Sequence, residues 1–489
     1  MTRTALFTRL TVSVAALALA SGALAQDSAV AVLKRASAAM GEPRSIRYSG
    51  EGSGWTFGQA WQPGKAWPKI DIQSQSRTLN YASSSMREEI TFSRGEIQGG
   101  GGYAAIVGVP QRNDQYLSGS YAWNVTPAGA APGPRFVGGR THQLWISPHG
   151  VLDAAKRNNA TVTWQTKGGK TLAAVSFTEP GKFAATAYLN DAYLVERVES
   201  RVPDTVLGET SVATDYSNYR DYGGVQFPGR IQQSAGGFPV LDLTVKEVQP
   251  NAPAEFALPE NVRGAAERVT TEKVADGVWF VAGGSHNSVA IEMKDHLILV
   301  EAPLDGARSG LVIEAVKKLA PGKPLRYVIN SHHHFDHAGG LRAAAAAGAT
   351  LLVHAEAKAY FDRAFATHSK ILPDLLTQSK KRASVQAVKD RMTLSDGART
   401  VQIWTIVENN HAAALMMVHL PKERLLIEAD AYTPIPPGAK PPAPANPNNV
   451  NLVVNLDAFR LAIDRILPLH GRVVPVEDLY TSAGRALPK

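Results

Sequence analysis

Ser331-His332-His333-His334-Phe335-Asp336-His337 decides how this chain is to be read. The run holds four imidazoles and a carboxylate, and it fits the spacing H-x-H-x-D-H. Two histidines two residues apart converge on one ion when the backbone between them is extended or tightly turned. Asp336 and His337 then project differently and can reach a second ion. Neutral imidazole with carboxylate suits zinc, with iron and manganese as alternatives. A solvated His-rich loop is the competing explanation. The chain has only 13 histidines in 489 residues, so four within six positions is far from a chance distribution.

The flanks place the cluster. Leu325-Arg326-Tyr327-Val328-Ile329-Asn330, after Pro324, reads as a short buried strand. Ala338-Gly339-Gly340-Leu341 follows, and then the helix-favouring stretch from Arg342 to Ala347. A strand end that precedes a helix is where layered α/β folds bind ligands. The cluster alone is not enough, since a catalytic zinc wants three protein ligands beside its water and a structural one wants four. Three more ligand-type residues stand at strand ends or in loops further on. His411 follows Val407-Glu408-Asn409-Asn410, Asp430 ends the apolar run Leu425 to Ala429, and His470 lies between Leu469 and Gly471.

These four blocks, in this order and at this spacing, resemble the metallo-β-lactamase superfamily of hydrolases over about 270–489. The resemblance implies a layered αββα sandwich with the site at one edge of its two sheets. It implies that His332, His334 and His411 hold a first ion. Asp336, His337 and His470 would hold a second, and Asp430 would bridge them. Two Zn(2+) per chain are expected, with Fe or Mn as alternatives. Asp336 is the expected catalytic residue, orienting a water activated between the ions and passing on its proton. The chain departs from the family at Asn410, Ala429 and Leu469, where glycine is usual, and at Glu301, where aspartate is usual.

Other candidates are weaker. Tyr432, two residues after Asp430, is a candidate substrate contact, with a packed aromatic as the competing role. His333 occupies an x position of the motif and reads as packing. His286, His296, His354, His368 and His419 read as surface or internally satisfied imidazoles. With no Cys in the chain, the β-lactamase subgroups that use a Cys ligand are excluded. An Asp bridge resembles thioesterases of the glyoxalase II kind and lactonases. An ester, lactone or thioester is therefore the expected small-molecule substrate, and a β-lactam is the alternative. A second alternative is an exported binding or carrier protein whose metal domain is not catalytic.

The remainder of the chain sets the context. Its length predicts two or three domains. Arg3 and Arg9, the apolar stretch Leu10 to Ala20, and Ala23-Leu24-Ala25 read as an export signal over 1–25, cleaved after Ala25 and leading to the periplasm. Ser28 to Met40 is spaced as an amphipathic helix ended by Gly41. A β-rich region occupies 26–262, in which Gly99 to Gly102 and Ala128 to Gly139 read as loops. Tyr219 to Pro228 resembles a phrase of exported half-barrels of the lipoprotein-carrier type. Pro250-Asn251-Ala252-Pro253 and Pro259 mark a linker near 249–263, and 263–489 reads as the metallohydrolase domain, with Leu456 to Leu467 as its last clear helix. Seven prolines between Pro434 and Pro447 exclude a regular helix or central strand there and suggest a lid over the site. The net charge of +8 is modest for the length, which argues against a nucleic-acid partner, and no later segment is apolar enough for a membrane span.

Overall fold

The computed structural model describes residues 28–100, 106–167 and 169–488. The expected export signal and part of the expected loop at Gly99 to Gly102 lie outside these residues. Among the described residues, no helix is long and apolar enough to cross a membrane.

The N-terminal part is built on one antiparallel sheet. Its strands are β1 (Ser45–Trp55), β2 (Lys69–Asn80), β3 (Ser85–Arg94), β4 (Gln111–Ser118), β5 (Tyr121–Thr126), β6 (Gly129–Pro132), β7 (Thr161–Lys167), β8 (Lys170–Glu179), β9 (Phe183–Leu189), β10 (Val195–Asp204), β11 (Gly208–Asp221), β12 (Gln226–Ala235) and β13 (Phe238–Pro250). The spatial order is β6-β5-β4-β3-β2-β1-β13-β12-β11-β10-β9-β8-β7. Two meanders are thus joined where the first strand pairs with the last. Period-two burial explains the strands. In β11, Thr210, Val212, Thr214 and Tyr216 are buried, whereas Ser211, Asp215 and Ser217 face solvent.

Helices cover one face of this sheet. The helix Ala29–Met40 starts at Ser28, whose Oγ accepts from the Ala31 amide at 3.3 Å, and ends at Gly41 with φ 79°. Helices Val137–Trp145 and Gly150–Arg157 join it. Their Leu144 and Leu152 form one core with Val32, Leu33, Ile46, Leu79 and Phe183. The expected loop at 128–139 is therefore incorrect in part, since it contains β6, a 3-10 turn at Pro134–Phe136 and the start of a helix. Burial of Leu144 and Trp145 overrides the weak helix propensity of Gly138 and Gly139.

The C-terminal part has two further sheets. The first orders β14 (Thr270–Ala275), β15 (Val278–Ala282), β16 (Ser288–Glu292), β17 (Leu297–Val300), β18 (Leu325–Ile329), β19 (Thr350–His354) and β20 (Ser384–Val388). From β17 to β20 the pairing is parallel. The second orders β21 (Arg391–Ser395), β22 (Thr400–Thr405), β23 (Met416–Leu420), β24 (Leu425–Glu428), β25 (Arg465–Pro468) and β26 (Val474–Pro475), with β24 and β25 parallel. Val289, Ile298, Val300 and Ile329 of the first sheet meet Ile403, Val418, Ile427 and Leu467 of the second in a shared core.

Helices Gly306–Leu319, Leu341–Ala346 and Ala355–Ala366 bury their apolar sides against the outer face of the first sheet. Helices Pro447–Phe459 and Val476–Ser482 do so against the second. These are the expected αββα layers. Because both faces of β17 are covered, Leu297-Ile298-Leu299-Val300 is continuously apolar rather than alternating.

The expected helix at Leu456 to Leu467 is misplaced. The helix runs from Pro447 to Phe459, with Pro447 in the first turn and Asn446 Oδ1 accepting from the Asn448 amide at 2.9 Å. Arg460, at φ 52°, ends it. Ile466 and Leu467 then pair with Leu426 and Ile427 in β25. A short apolar run fits a helix end or a buried strand equally well, so periodicity does not separate them.

Two glycines give a contrasting test. A Cβ on Gly339 would lie 2.0 Å from the Leu304 carbonyl oxygen, while one on Gly310 meets nothing within 4 Å. Gly339→Ala should therefore destabilise by about 1–3 kcal/mol or more through overpacking. Gly310→Ala, inside a helix, should stabilise by about 0.5–1 kcal/mol. Denaturant midpoints of the two variants read the difference, and equal shifts would contradict it.

Candidate metal centre

The histidine cluster leaves β18 extended and then turns helical. Asn330 and Ser331 anchor the exit: the Ser331 amide donates to Glu301 Oε1 at 2.7 Å, and the Ser331 carbonyl accepts from the Met416 amide of the second sheet at 2.8 Å. His334 is still extended at φ -60° and ψ 145°, and the single turn Phe335–Ala338 follows. The change from extended to helical backbone sends His332 and His334 one way and Asp336 and His337 another.

The remaining blocks arrive from the facing sheet. Asn409 Oδ1 accepts from the His411 amide at 2.7 Å, an Asx turn that shapes the loop without the family's usual glycine. Asp430 follows β24 at φ 60°, a left-handed conformation that aspartate tolerates better than most residues. His470 follows β25. Its loop is pinned by Asn287, whose backbone amide donates to the Leu469 carbonyl at 2.8 Å, while Nδ2 donates to the Gly471 carbonyl at 2.9 Å.

Two groups of ligand-type residues result: His332, His334, His411 and Asp430 in one, and His286, Asp336, His337 and His470 in the other, each with its nitrogens and oxygens within 4.8 Å of one another. Asp430 reaches into both. Its Oδ2 lies 3.0 Å from His411 Nε2, 3.3 Å from His332 Nε2 and 2.8 Å from His337 Nε2, and its Oδ1 lies 2.9 Å from His470 Nε2. All seven ligand positions expected from the sequence are thus brought together. The open side is at the second group: the Asp336 side chain is 26% exposed and that of His470 19%, against 0% for His332.

The electrostatics suit cations. Burial holds the His332 and His334 imidazoles well below the ordinary histidine range, so both are neutral donors of a lone pair. Burial also lowers His286, to about 4. Burial opposes charge on His337 as well, but Asp430, Asp336 and Glu301 around it raise it well above its ordinary value. Burial alone would raise the Asp430 carboxyl, yet the imidazoles of His337, His411 and His470 pull it well below the usual carboxylate range. The residues fit a pair of metal ions on two further counts. His334 Nδ1 is buried and accepts from no protein group. His332 and His411 face each other Nε2 to Nε2 at 3.1 Å, as do His337 and His470, so each pair of nitrogens can close on one cation.

His286 corrects the sequence reading, which grouped it with surface or internally satisfied imidazoles. It is buried, with Nε2 3.1 Å from Asp336 Oδ2 and its ring 4.2 Å from that of His470. A lone histidine in Gly283-Gly284-Ser285-His286 carries no spacing signal. Its loop is held by the buried Arg308, which donates to the carbonyls of Ala282 at 3.1 Å and His286 at 3.4 Å. Tyr432 corrects another expectation. It is 1% exposed and packs with Leu452, Leu479 and Ile466 in the core under the second sheet, so it does not line the open side of the centre. His333 packs away from both groups as expected, with Nε2 donating to the Ala60 carbonyl at 2.7 Å.

Glu301 supplies the orienting contact that sequence left unassigned. It is fully buried, and its Oε2 accepts from His337 Nδ1 at 2.5 Å and from Ser331 Oγ at 3.2 Å. This fixes the His337 tautomer with Nε2 facing Asp430.

The family model of the metallo-β-lactamase superfamily matches residues 281–470. That segment is a metallo-β-lactamase superfamily domain. No curated protein matches the chain. Among solved structures, the chain is similar to a metallo-β-lactamase from Pontibacter korlensis, with 15% identity, 44% of this chain and 98% of that one covered, and a TM-score of 0.34. It is similar to the metallo-β-lactamase FIM-1 from Pseudomonas aeruginosa in its mono-zinc form, with 20% identity, coverage of 44% and 93%, and a TM-score of 0.32. It is also similar to rubredoxin oxygen:oxidoreductase from Desulfovibrio gigas, with 17% identity, coverage of 44% and 61%, and a TM-score of 0.34.

In the metallo-β-lactamase domain, Glu301→Ala should leave the His337 imidazole and the Ser331 amide without their buried acceptor. The expected cost in chelator-treated protein is about 3–5 kcal/mol, as for other broken buried pairs. Chemical denaturation checks it, and an unchanged midpoint would show that Glu301 does not hold this corner of the site.

Proposed function

We propose that the chain is a dinuclear metal-dependent hydrolase, with zinc as the metal and an ester, lactone or thioester as the substrate. The observation that carries this reading is the convergence of two ligand groups on the one Asp430 carboxylate. His332, His334 and His411 would hold one ion. Asp336, His337 and His470, with His286 beside them, would hold the other, and Asp430 would bridge. Export to the periplasm with cleavage after Ala25 is part of the proposal and is supported by the sequence of 1–25 alone. So is the division of the remainder into 26–262 and 263–489.

Two such ions, when bound, supply Lewis acidity and lower the pKa of a water towards neutral. The protein's own groups do the rest. The neutral imidazoles of His332 and His334 offer lone pairs without needing to shed protons near neutral pH. Asp336, on the open side, orients the attacking water. Its Oδ1 has a lone pair beyond the one used by its amide donor and holds the proton released on attack. Buried His333 and the apolar packing behind the cluster keep bulk water to the side where Asp336 and His470 are exposed.

The purified chain should bind close to two zinc equivalents and hydrolyse model esters or lactones. His334→Ala should lose one equivalent and at least 99% of turnover, and chelation should abolish turnover reversibly. Metal analysis beside a panel of lactones, thioesters, β-lactams and phosphodiesters checks this. Preferential β-lactam turnover would move the substrate to the alternative class, and metal-free protein without chelator-sensitive turnover would sink the proposal.

One observation favours the second reading, a binding or carrier protein. The N-terminal sheet borders a cavity of about 640 Å³ whose lining includes Trp55, Phe57, Ile70, Ile72 and Leu241. Tight binding of an apolar probe there, with no turnover across the whole panel by metal-loaded protein, would favour it.

The segment Pro434 to Pro447 is proposed as a lid. Pro434 packs where a Cβ on Gly471 would meet it at 3.1 Å, directly after His470. Shortening 436–444 should change relative kcat/KM across the panel several-fold and leave zinc content unchanged. Parallel loss of zinc would assign the segment to the centre's structure instead.

A further inference from the structure

The loop between β1 and β2 of the N-terminal sheet runs straight into the metal centre. Gln59 Nε2 donates to Asp336 Oδ1 at 2.9 Å. The Ala60 carbonyl accepts from His334 Nε2 at 3.0 Å as well as from His333. Trp61 Nε1 donates to the Asn409 carbonyl at 2.9 Å, and the Trp61 carbonyl accepts from the Ala413 amide at 2.9 Å, so this residue brackets His411. Three consecutive residues therefore grip three places in two ligand blocks that lie more than seventy residues apart in the chain.

We propose that Gln59-Ala60-Trp61 is a strap that positions the ligands of both metal sites. The inference rests on the dinuclear reading above and names residues that the metallo-β-lactamase domain does not itself contain. A mere packing interface would meet the cluster with apolar side chains. Here the contacts are polar and directed at particular atoms. By accepting from His334 Nε2, the Ala60 carbonyl fixes the proton there and leaves the buried Nδ1, which has no other partner, as the lone pair for an ion. Gln59 must present its amide nitrogen to Asp336, because its oxygen would repel the carboxylate. Its Oε1 is buried and accepts from no described group.

The close approach is built into the loop. Gly58 has φ 82°, its carbonyl accepts from the Phe335 amide at 3.2 Å, and a Cβ there would lie 2.6 Å from the Phe335 ring. Phe57 and Trp67 pack edge-on against the same ring. The other side of the strap is tied down as well: the Gly100 amide donates to the Gln59 carbonyl at 2.9 Å, and the Gly99 amide donates to the Asn410 carbonyl at 2.8 Å.

The test uses the full chain and zinc alone, titrated against a competing chelator so that the two equivalents are resolved. Removing a group that orients a metal ligand commonly costs roughly 10–100-fold in metal affinity. Gln59→Leu should weaken the equivalent held by Asp336 by about tenfold or more and spare the other. Trp61→Phe, which keeps an aromatic ring but loses the Nε1 donor, should do the reverse through His411. Gly58→Ala, which pushes the strap off Phe335, should weaken both. General loosening of the fold would weaken both equivalents in every variant, and that pattern, or wild-type affinities in Gln59→Leu and Trp61→Phe, overturns the strap while leaving the dinuclear reading intact. A wild-type chain that takes up no zinc overturns both.

Discussion

The Asp430 carboxylate is the point on which the structure turns. Four imidazole nitrogens from three separate places in the sequence lie within 3.3 Å of its two oxygens. Bringing them there is a problem of register. β24 and β25 run parallel with Glu428 opposite Pro468, so Asp430 and His470, each two residues further on, emerge level with one another. The left-handed turn at Asp430 then aims its carboxylate across the gap between the sheets towards the cluster that leaves β18.

Such a concentration of buried polar groups costs desolvation free energy that only good partners offset. The partners are present one layer out. Glu301 takes His337 and the Ser331 amide, Asn287 holds the loop of His470, and Arg308 holds the loop of His286. The N-terminal sheet adds Gln59, Ala60 and Trp61 on the opposite side. The centre is thus enclosed by both parts of the chain, and its open face is confined to the neighbourhood of Asp336 and His470.

Much of this was legible in residue order. The cluster at 332–337 is local, so its spacing is a direct record of its geometry, and Asp430 ends the apolar run Leu425 to Ala429, which reads as a buried strand, with His411 and His470 as single ligand-type residues in loops either side of it. The layers were legible for the same reason: continuous apolar stretches such as Leu297 to Val300 alternate with helical ones. What failed has physical causes. Tyr432 has a promising position in the sequence, but β24 ends in a turn that sends its ring into the core. The run up to Leu467 was read as helix because four or five apolar residues suit a buried strand equally well. His286 is a single imidazole with no neighbour of its kind, and only the folded loop shows what it faces.

Local order therefore specifies which side chains bind and on which element each one sits, because ligand spacing and apolar periodicity are properties of short segments. It does not specify what those ligands lean on. Gln59 and Asp336 are hundreds of residues apart, and their contact exists only because the β1–β2 loop crosses onto the metallo-β-lactamase domain and Gly58 lets it come close. The tautomer of His334, the orientation of Asp336 and the side from which a substrate can arrive are consequences of that crossing. They depend on distances through space that no pattern along the chain encodes.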